Sequence, residues 1–449
     1  MSQHKPVITK GVDWTMIWLY IAISLIGLVC IISVEYKGTE DFVQSLFAFK
    51  KNYSKQFIYL GLSGVVAIFI LLTDSKFFTA TANLFYIFGI FLMMLTFVVG
   101  KNVNGSHSWI PLGFMNLQPV ETCKIFTALA LAKYLSLPDT DFTKTRSHAI
   151  AAGICFLPII FSLLQNETGL ALVYFSFLLP MYREGLPAGY LILGASLAVL
   201  LVLTLLIPTT QLLIALAVVA ALCIFFMQRR IKRNRNLLII VISLWGISSL
   251  FVGVAVPFLF KNVFQKYQAD RIFSMVGRDN PYVDSNSTTS LEEAAAAKKK
   301  KGDGENYNVK QSKIAIGSGG FAGKGFMKGT QTQGDFVPEQ HTDFIFTSLG
   351  ESFGFIGTTI LMLLYLAMLL RIVVIAERQR STFSRVYAYS VAGILFFHVA
   401  VNICMTIGLA PVIGITLPLM SYGGSSLLTF TILIFILIKL DSDRQMVLR

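Results

Sequence analysis

Apolar residues come along most of this chain in nearly unbroken runs. They show neither the alternation of a half-buried strand nor the single stripe of a surface helix. Met16–Val34, Ile58–Leu72, Leu84–Val99, Leu237–Leu259 and Leu427–Ile438 are examples. A soluble helix turns a polar face outward every turn, and these runs do not. They predict helices in lipid, each near the ~20 residues that cross a bilayer. Spanning segments fall near 14–35, 57–73, 79–99, 118–136, 148–165, 168–181, 188–207, 209–227, 237–260, 345–376, 385–408 and 423–441. Connections around 188–207 are very short, so the count runs from ten to twelve. The expected fold is all-α: a polytopic integral membrane bundle of about 10–12 transmembrane helices with a large external loop. N-terminal spans would occupy 1–260, the loop 261–344 and C-terminal spans 345–449.

Composition agrees. Hydrophobic residues make up 55% and charged residues 14%, against about 25% charged in a soluble domain. The first run follows His4, Lys5 and Lys10, is too long for a signal peptide and lacks a small-residue cleavage site, so it reads as a first spanning helix. All five cysteines lie in apolar runs without metal-type spacing.

The net charge of +13 would suggest nucleic acid in a soluble protein. Here the basic residues sit in short loops, as the positive-inside rule expects, so no nucleic-acid partner follows. Arg229, Arg230, Lys232, Arg233 and Arg235 form one cluster, and Arg378, Arg380 and Arg385 another. With Arg444 and Arg449 they place both termini in the cytoplasm. The stretch 36–56, with Lys37, Lys50, Lys51 and Lys55, points the other way and is outvoted. The segment 261–344 is then external. Its low-complexity insert around 285–303 predicts an exposed loop without packing of its own. The glycine-rich Ile314–Gly329 and polar-aromatic Gln331–Phe344 that follow predict a structured cap over an external cavity.

Ionisable residues within or against a span are costly and face a cavity or a partner. Gln118-Pro119-Val120-Glu121-Thr122-Cys123-Lys124 puts Glu121 and Lys124 three apart on one helix face, free to pair. A self-neutralising structural pair explains them as well as a site does. Pro338-Glu339-Gln340-His341-Thr342-Asp343-Phe344 runs straight into an apolar helix. Thr342 or Asp343 could simply cap that helix, but a cap does not need Glu339, His341 and Asp343 together. A carboxylate held half-desolvated there suits a general base. Gly319–Gly325, with Lys324, looks like a phosphate loop but fails the Walker pattern. Its amides could cradle an anion or serve only tight turns. His148 and His398 read as satisfied interior histidines.

The longest motifs carry a resemblance. Gly408-Leu409-Ala410-Pro411-Val412-Ile413-Gly414-Ile415-Thr416-Leu417-Pro418-Leu419-Met420-Ser421-Tyr422-Gly423-Gly424-Ser425-Ser426 closely resembles the C-terminal signature of the SEDS family, the shape, elongation, division and sporulation proteins. So do Gln311–Gly320 and the stretch from Gly329-Thr330-Gln331 to Phe344, nearer the elongation branch than the division branch.

The resemblance implies a peptidoglycan glycosyltransferase that polymerises lipid II on the outer face of the inner membrane during elongation, with a class B penicillin-binding protein. It places the family's essential loop acid on Asp343 and its acidic–basic pair on Glu121 and Lys124. Departures are Val120 for the usual Ser, Ser108 for the usual Arg before Trp109, and Gln165-Asn166-Glu167-Thr168-Gly169-Leu170 for Gln-Pro-Asp-x-Gly-Thr. The two spans beyond the family's usual ten would fall among 188–227.

In that chemistry Asp343 is the base. Lys124, and more weakly Arg271, meet the charge on the diphosphate, with Lys324, Glu339 and His341 as further substrate contacts. A divalent cation, Mg or Mn, is chemically reasonable at the diphosphate, although no ligand set demands it. The alternatives are a lipid II flippase, which needs polar groups through the membrane depth, and a non-catalytic scaffold, which leaves the outer acidic cluster unexplained.

Overall fold

The computed structural model describes residues 11–36, 46, 49–103, 106–111, 113, 116–263, 273 and 307–444. Arg271 and the insert around 285–303 lie outside them. The chain begins with α1 (Trp14–Glu35), α2 (Asn52–Leu72) and α3 (Ser75–Val99), then a three-stranded antiparallel sheet of β1 (Lys101–Val103), β2 (Ser106–Pro111) and β3 (Asn116–Leu117). Next come α4 (Pro119–Leu135), α5 (Thr145–Leu164), α6 (Thr168–Val173) and α7 (Leu178–Arg183). They are followed by α8 (Ala188–Leu206), α9 (Thr209–Phe226), α10 (Gln228–Arg233) and α11 (Asn236–Asn262). A helix over 307–319, α12, precedes α13 (Ile345–Glu377), α14 (Thr382–Thr406) and α15 (Gly424–Ser442).

Ten of the described helices are long and apolar enough to cross a membrane. The segments at 188–227 fold as two full-length helices. The remaining two of the sequence count are shorter: 118–136 is the 17-residue α4, and 168–181 breaks into α6, a 3-10 turn at Tyr174–Phe177 and α7. The chain's contacts also group it otherwise than at 260 and 344. One compact unit joins Met1–Leu186 to Asn308–Arg449, and a second comprises Pro187–Tyr307.

In the first unit α4, α14 and α15 are the most enclosed helices. Helix α4 packs on α3 and α14, α15 packs on α2, and α13 packs on α1 and α14. The run Thr127-Ala128-Leu129-Ala130-Leu131-Ala132 of α4 is wholly buried. Small residues of this kind let backbones approach where lipid gives no hydrophobic drive to associate. The sheet was not foreseen, yet it matters: β3 pairs with β2 through Ile110–Leu117 and Pro111–Asn116 and leads directly into α4.

One end of this unit is an ion-pair clasp. Asp13 caps α1 by accepting from the Met16 N–H at 3.1 Å. It also accepts from Arg371 at 2.7 Å and Arg378 at 2.8 Å. Arg378 reaches on to Asp441, 2.8 Å from its Nε. The start of α1 and the ends of α13 and α15 therefore meet there, with residue 343 at the opposite end of α13.

Helix α13 is interrupted at Gly354, whose φ of 62° and ψ of −154° only glycine adopts readily. The glycine-rich segment completes the broken ladder. Lys324 and Gly325 N–H donate to the Glu351 and Ser352 carbonyls, both at 3.0 Å. In return Phe355 and Ile356 N–H donate to the Gly320 and Phe321 carbonyls at 3.0 and 3.2 Å. Those two amides are thus spent on a helix, not kept for an anion, and the irregular backbone is covered as a membrane setting requires.

This geometry gives a stability prediction. An alanine Cβ at 354 would sit 2.4 Å from the Gly323 nitrogen, whereas Gly246 in α11 has open space around it. Gly354→Ala should cost at least roughly 1–3 kcal/mol from the backbone strain alone. Gly246→Ala should be neutral or mildly stabilising. Thermal unfolding of the two purified variants in detergent checks this, and equal melting temperatures would contradict the tight approach.

Candidate active site

The 338–344 turn is built from its carbonyls outward. The Gln340 carbonyl accepts from Ser348 Oγ at 3.1 Å, and the His341 carbonyl accepts from the Tyr422 N–H at 2.8 Å. The Thr342 carbonyl accepts from Ser421 Oγ at 2.7 Å, and the Asp343 carbonyl from Asn402 Nδ2 at 2.8 Å. Four successive carbonyls are therefore held by α13 itself, by the Ser421-Tyr422 signature and by α14. Capping does not explain the acidic cluster. The N-cap position of α13 falls on Phe344, and Thr342 Oγ1 is bound to Glu339 Oε2 at 2.8 Å. The Asp343 carboxylate is half-buried beside Gly414, where a Cβ would lie 3.5 Å from its Oδ2.

Beside the turn a cavity of about 400 Å³ is lined by Val34, Glu35, Lys51, Asn52, Asp335, Gln340 and His341. The His341 ring meets Tyr422 edge-on, and Tyr59 packs on the other side of that tyrosine. Burial, with Tyr59 and Glu35 beside it, pushes the Tyr422 phenol up from its ordinary value, so it stays protonated. Glu339 is exposed, in a left-handed conformation at φ 53°.

Glu121 and Lys124 do pair, Nζ to Oε1 at 3.3 Å, with Lys124 at 0% exposure. Lys124 Nζ also lies 2.8 Å from His398 Nε2 and 5.4 Å from the centre of the Phe430 ring. Glu121 Oε2 is buried without a protein donor, an expensive arrangement for a carboxylate that served stability alone. Ser108 Oγ and Gln118 Nε2, at the entry to α4, donate to Glu167 Oε1 at 2.6 and 3.2 Å.

The structure thus brings Asp343, His341 and Glu339 onto one turn and links that turn to Lys124 through α14, since His398 and Asn402 stand one helical turn apart. It takes Lys324 elsewhere. Lys324 Nζ donates to the buried Glu351 at 2.7 Å, and that carboxylate also accepts from the Gln331 N–H, the Thr332 N–H and Thr332 Oγ1. Arg271 lies outside the described residues. His398, Asn402 and Glu351 were missed from sequence. A lone acid inside the apolar run of α13 was the available signal for Glu351, and a histidine and an asparagine four apart before the Gly408 signature was the signal for the other two.

Comparison with known proteins places this geometry in a family. The sequence matches the cell cycle protein family of FtsW, RodA and SpoVE over residues 13–238 and 187–446. The chain belongs to that family. It is 29% identical to the peptidoglycan glycosyltransferase MrdB of Escherichia coli K12, covering 80% of this chain and 78% of that one. It is likewise 29% identical to the peptidoglycan glycosyltransferase RodA of Treponema pallidum, covering 96% and 97%.

Among solved structures, the crystal structure of the Thermus thermophilus rod shape determining protein RodA aligns with a TM-score of 0.60 at 23% identity, covering 97% of this chain and 98% of that one. A chain from a study of a peptidoglycan synthase complex aligns with a TM-score of 0.65 at 23% identity, covering 96% and 98%. The all-α polytopic fold is the fold of these family structures.

The buried pair gives the second prediction. Removing one partner leaves an uncompensated buried charge and should cost roughly 3–5 kcal/mol. The Glu121→Gln/Lys124→Met double variant should lose less stability than either single one. A thermal-unfolding double-mutant cycle measures this, and additive losses would show that the two charges do not stabilise each other.

Proposed function

We infer that this chain is a peptidoglycan glycosyltransferase that polymerises lipid II. The observation that carries the reading is the Asp343 turn. A half-buried carboxylate is fixed at one end of the bundle by four dedicated carbonyl contacts, in a family whose curated members are named for this activity.

Asp343 takes the proton of an acceptor sugar hydroxyl as that oxygen attacks the anomeric carbon of the donor. The bond from that carbon to the lipid-linked diphosphate breaks, and the diphosphate leaves as an anion. We assign Lys124, with Arg271 second, to that developing charge. Lys124 is enclosed, so it meets the diphosphate only once the packing around it opens, and Glu121 is its counter-ion until then. His341 and Glu339 flank the acceptor side, Lys324 being committed to Glu351. A divalent cation, magnesium or manganese, would supply positive charge to the leaving diphosphate; among the described residues no cluster of three or more His, Cys, Asp or Glu would hold it, so the substrate would have to bring most of its ligands.

The clasp end, with Arg371, Arg378 and Arg444, is the cytoplasmic face by the positive-inside rule. Both termini are then cytoplasmic and Asp343 is at the outer surface. The partner is a class B penicillin-binding protein of the elongation machinery, a reading supported by the similarity to a chain of a peptidoglycan synthase complex. Transport of lipid II is the weaker alternative. The acids, bases and histidines of the first unit's long helices all lie within eight residues of a helix end, which leaves the middle of the membrane without the polar groups a flippase needs.

Asp343→Asn keeps the shape and removes the base. The variant should fold, melt near the parent temperature and lose at least about 100-fold in polymerisation rate. Gel analysis of glycan strands made from lipid II by purified protein, with and without a class B partner, is the measurement. Near-parental polymer from Asp343→Asn would end the assignment.

A further inference from the structure

Resting on that reading of Lys124, we propose that His398 is its positioning residue, and that with Asn402 it ties the ammonium to the Asp343 turn. The argument begins with a carbonyl. His398 Nδ1 lies 3.1 Å from the Thr416 carbonyl oxygen, which can only accept, so Nδ1 carries the ring proton. An imidazolium against an ammonium 2.8 Å away, in an enclosed site, would set two cations together. The ring is therefore neutral, and its Nε2 is an acceptor for a Lys124 proton.

That arrangement determines where the ammonium points. Of its three protons one goes to Glu121 and one to His398. Phe430 closes the remaining side, its ring in edge contact with His398 at 5.0 Å and 5.4 Å from Lys124 Nζ. When Glu121 yields to a phosphate oxygen, His398 still holds the lysine in place.

One turn further along α14, Asn402 Nδ2 donates to the Asp343 carbonyl at 2.8 Å and the Ile415 carbonyl at 2.6 Å. His398 and Asn402 thus grip the adjacent carbonyls of Thr416 and Ile415 from one helix face. Base and ammonium are set at a fixed separation by a single helical turn. Neither residue touches a reacting atom, and their effect passes through Lys124 and through the Asp343 backbone.

The test uses the full chain, purified with its class B partner, on lipid II. His398→Phe keeps the ring volume and removes both hydrogen bonds. His398→Gln restores an acceptor and a donor. For His398→Phe the expected result is a kcat at least tenfold lower with KM within about threefold, because the lost interaction matters only as the diphosphate leaves. His398→Gln should recover at least a third of the parental kcat, a rescue that a packing role would not give.

His398→Phe in a Lys124→Ala background should slow the reaction no further, since the histidine acts only through the lysine. Where the phenylalanine variant does not fold, His398→Leu provides the acceptor-free side chain. Parental kcat in a folded His398→Phe while Lys124→Ala is inactive would overturn this inference and leave the role of Lys124 standing. A glutamine variant as slow as the phenylalanine one, or additive losses in the double variant, would overturn it as well. Parental activity of Lys124→Ala would instead remove the reading of Lys124, and this inference with it.

Discussion

The backbone carbonyls of residues 340–343 are the constraint on which the rest of this structure depends. A short polar turn at a membrane surface exposes acceptors that neither lipid nor a regular helix can satisfy. The four are met by donors from three places: Ser348 of α13, Ser421 and the Tyr422 amide of the signature, and Asn402 of α14. The Ser-Tyr-Gly-Gly signature therefore acts on the site through a backbone amide, the Ser421 hydroxyl and the Tyr422 ring against His341. Ser421 shows the economy of the arrangement. Its hydroxyl donates to the Thr342 carbonyl and accepts from the Leu417 N–H, so one side chain fixes both the turn and its own loop. Gln56 of α2 secures that loop in turn, donating to the Ser421 carbonyl and accepting from the Gly423 N–H.

The break in α13 extends the same logic downward. Opening a helix at Gly354 frees backbone groups that must be paired, and the glycine segment pairs them because its own lack of side chains permits the approach. The Cβ of an alanine at 323 would lie 2.3 Å from the Ser352 carbonyl oxygen. Glu351 then fastens the loop with five donors, two of them backbone amides. A buried carboxylate in such a place is tolerable only when fully hydrogen-bonded. The glycine-rich segment is thus anchored inside the bundle, and residues 338–344 are carried on a support with little freedom.

What was legible in the sequence follows from these physical causes. Apolar runs are read directly because lipid leaves no polar alternation to confuse them, and ten spans were found near their observed positions. The segment 168–181 misled because its composition is that of a span. Its kink at Tyr174–Phe177 is set by packing, with the Tyr174 hydroxyl on the Val120 carbonyl at 3.0 Å. The Glu121–Lys124 pair was legible from spacing on one helix. The links from Lys124 to His398 and from Asn402 to Asp343 were not, since they cross 274 and 59 residues of chain. The Lys324–Glu351 pair went unread for a related reason: Glu351 lay in a run read only for hydrophobicity.

Two of the departures from the family pattern meet in the structure. Ser108 replaces an arginine and Glu167 replaces an aspartate, and the structure sets them side by side, the hydroxyl 2.6 Å from the carboxylate. Gln118 supplies a second donor to the same oxygen, while its backbone N–H is held by Ser425 of the C-terminal signature at 3.1 Å. The start of α4 is therefore tied both to Glu167 and to the C-terminal signature. Because Glu121 and Lys124 follow Gln118 by three and six residues in one rigid helix, the register of that start sets where both charges stand. A change of two residues that keeps the carboxylate satisfied can thus be absorbed without moving them.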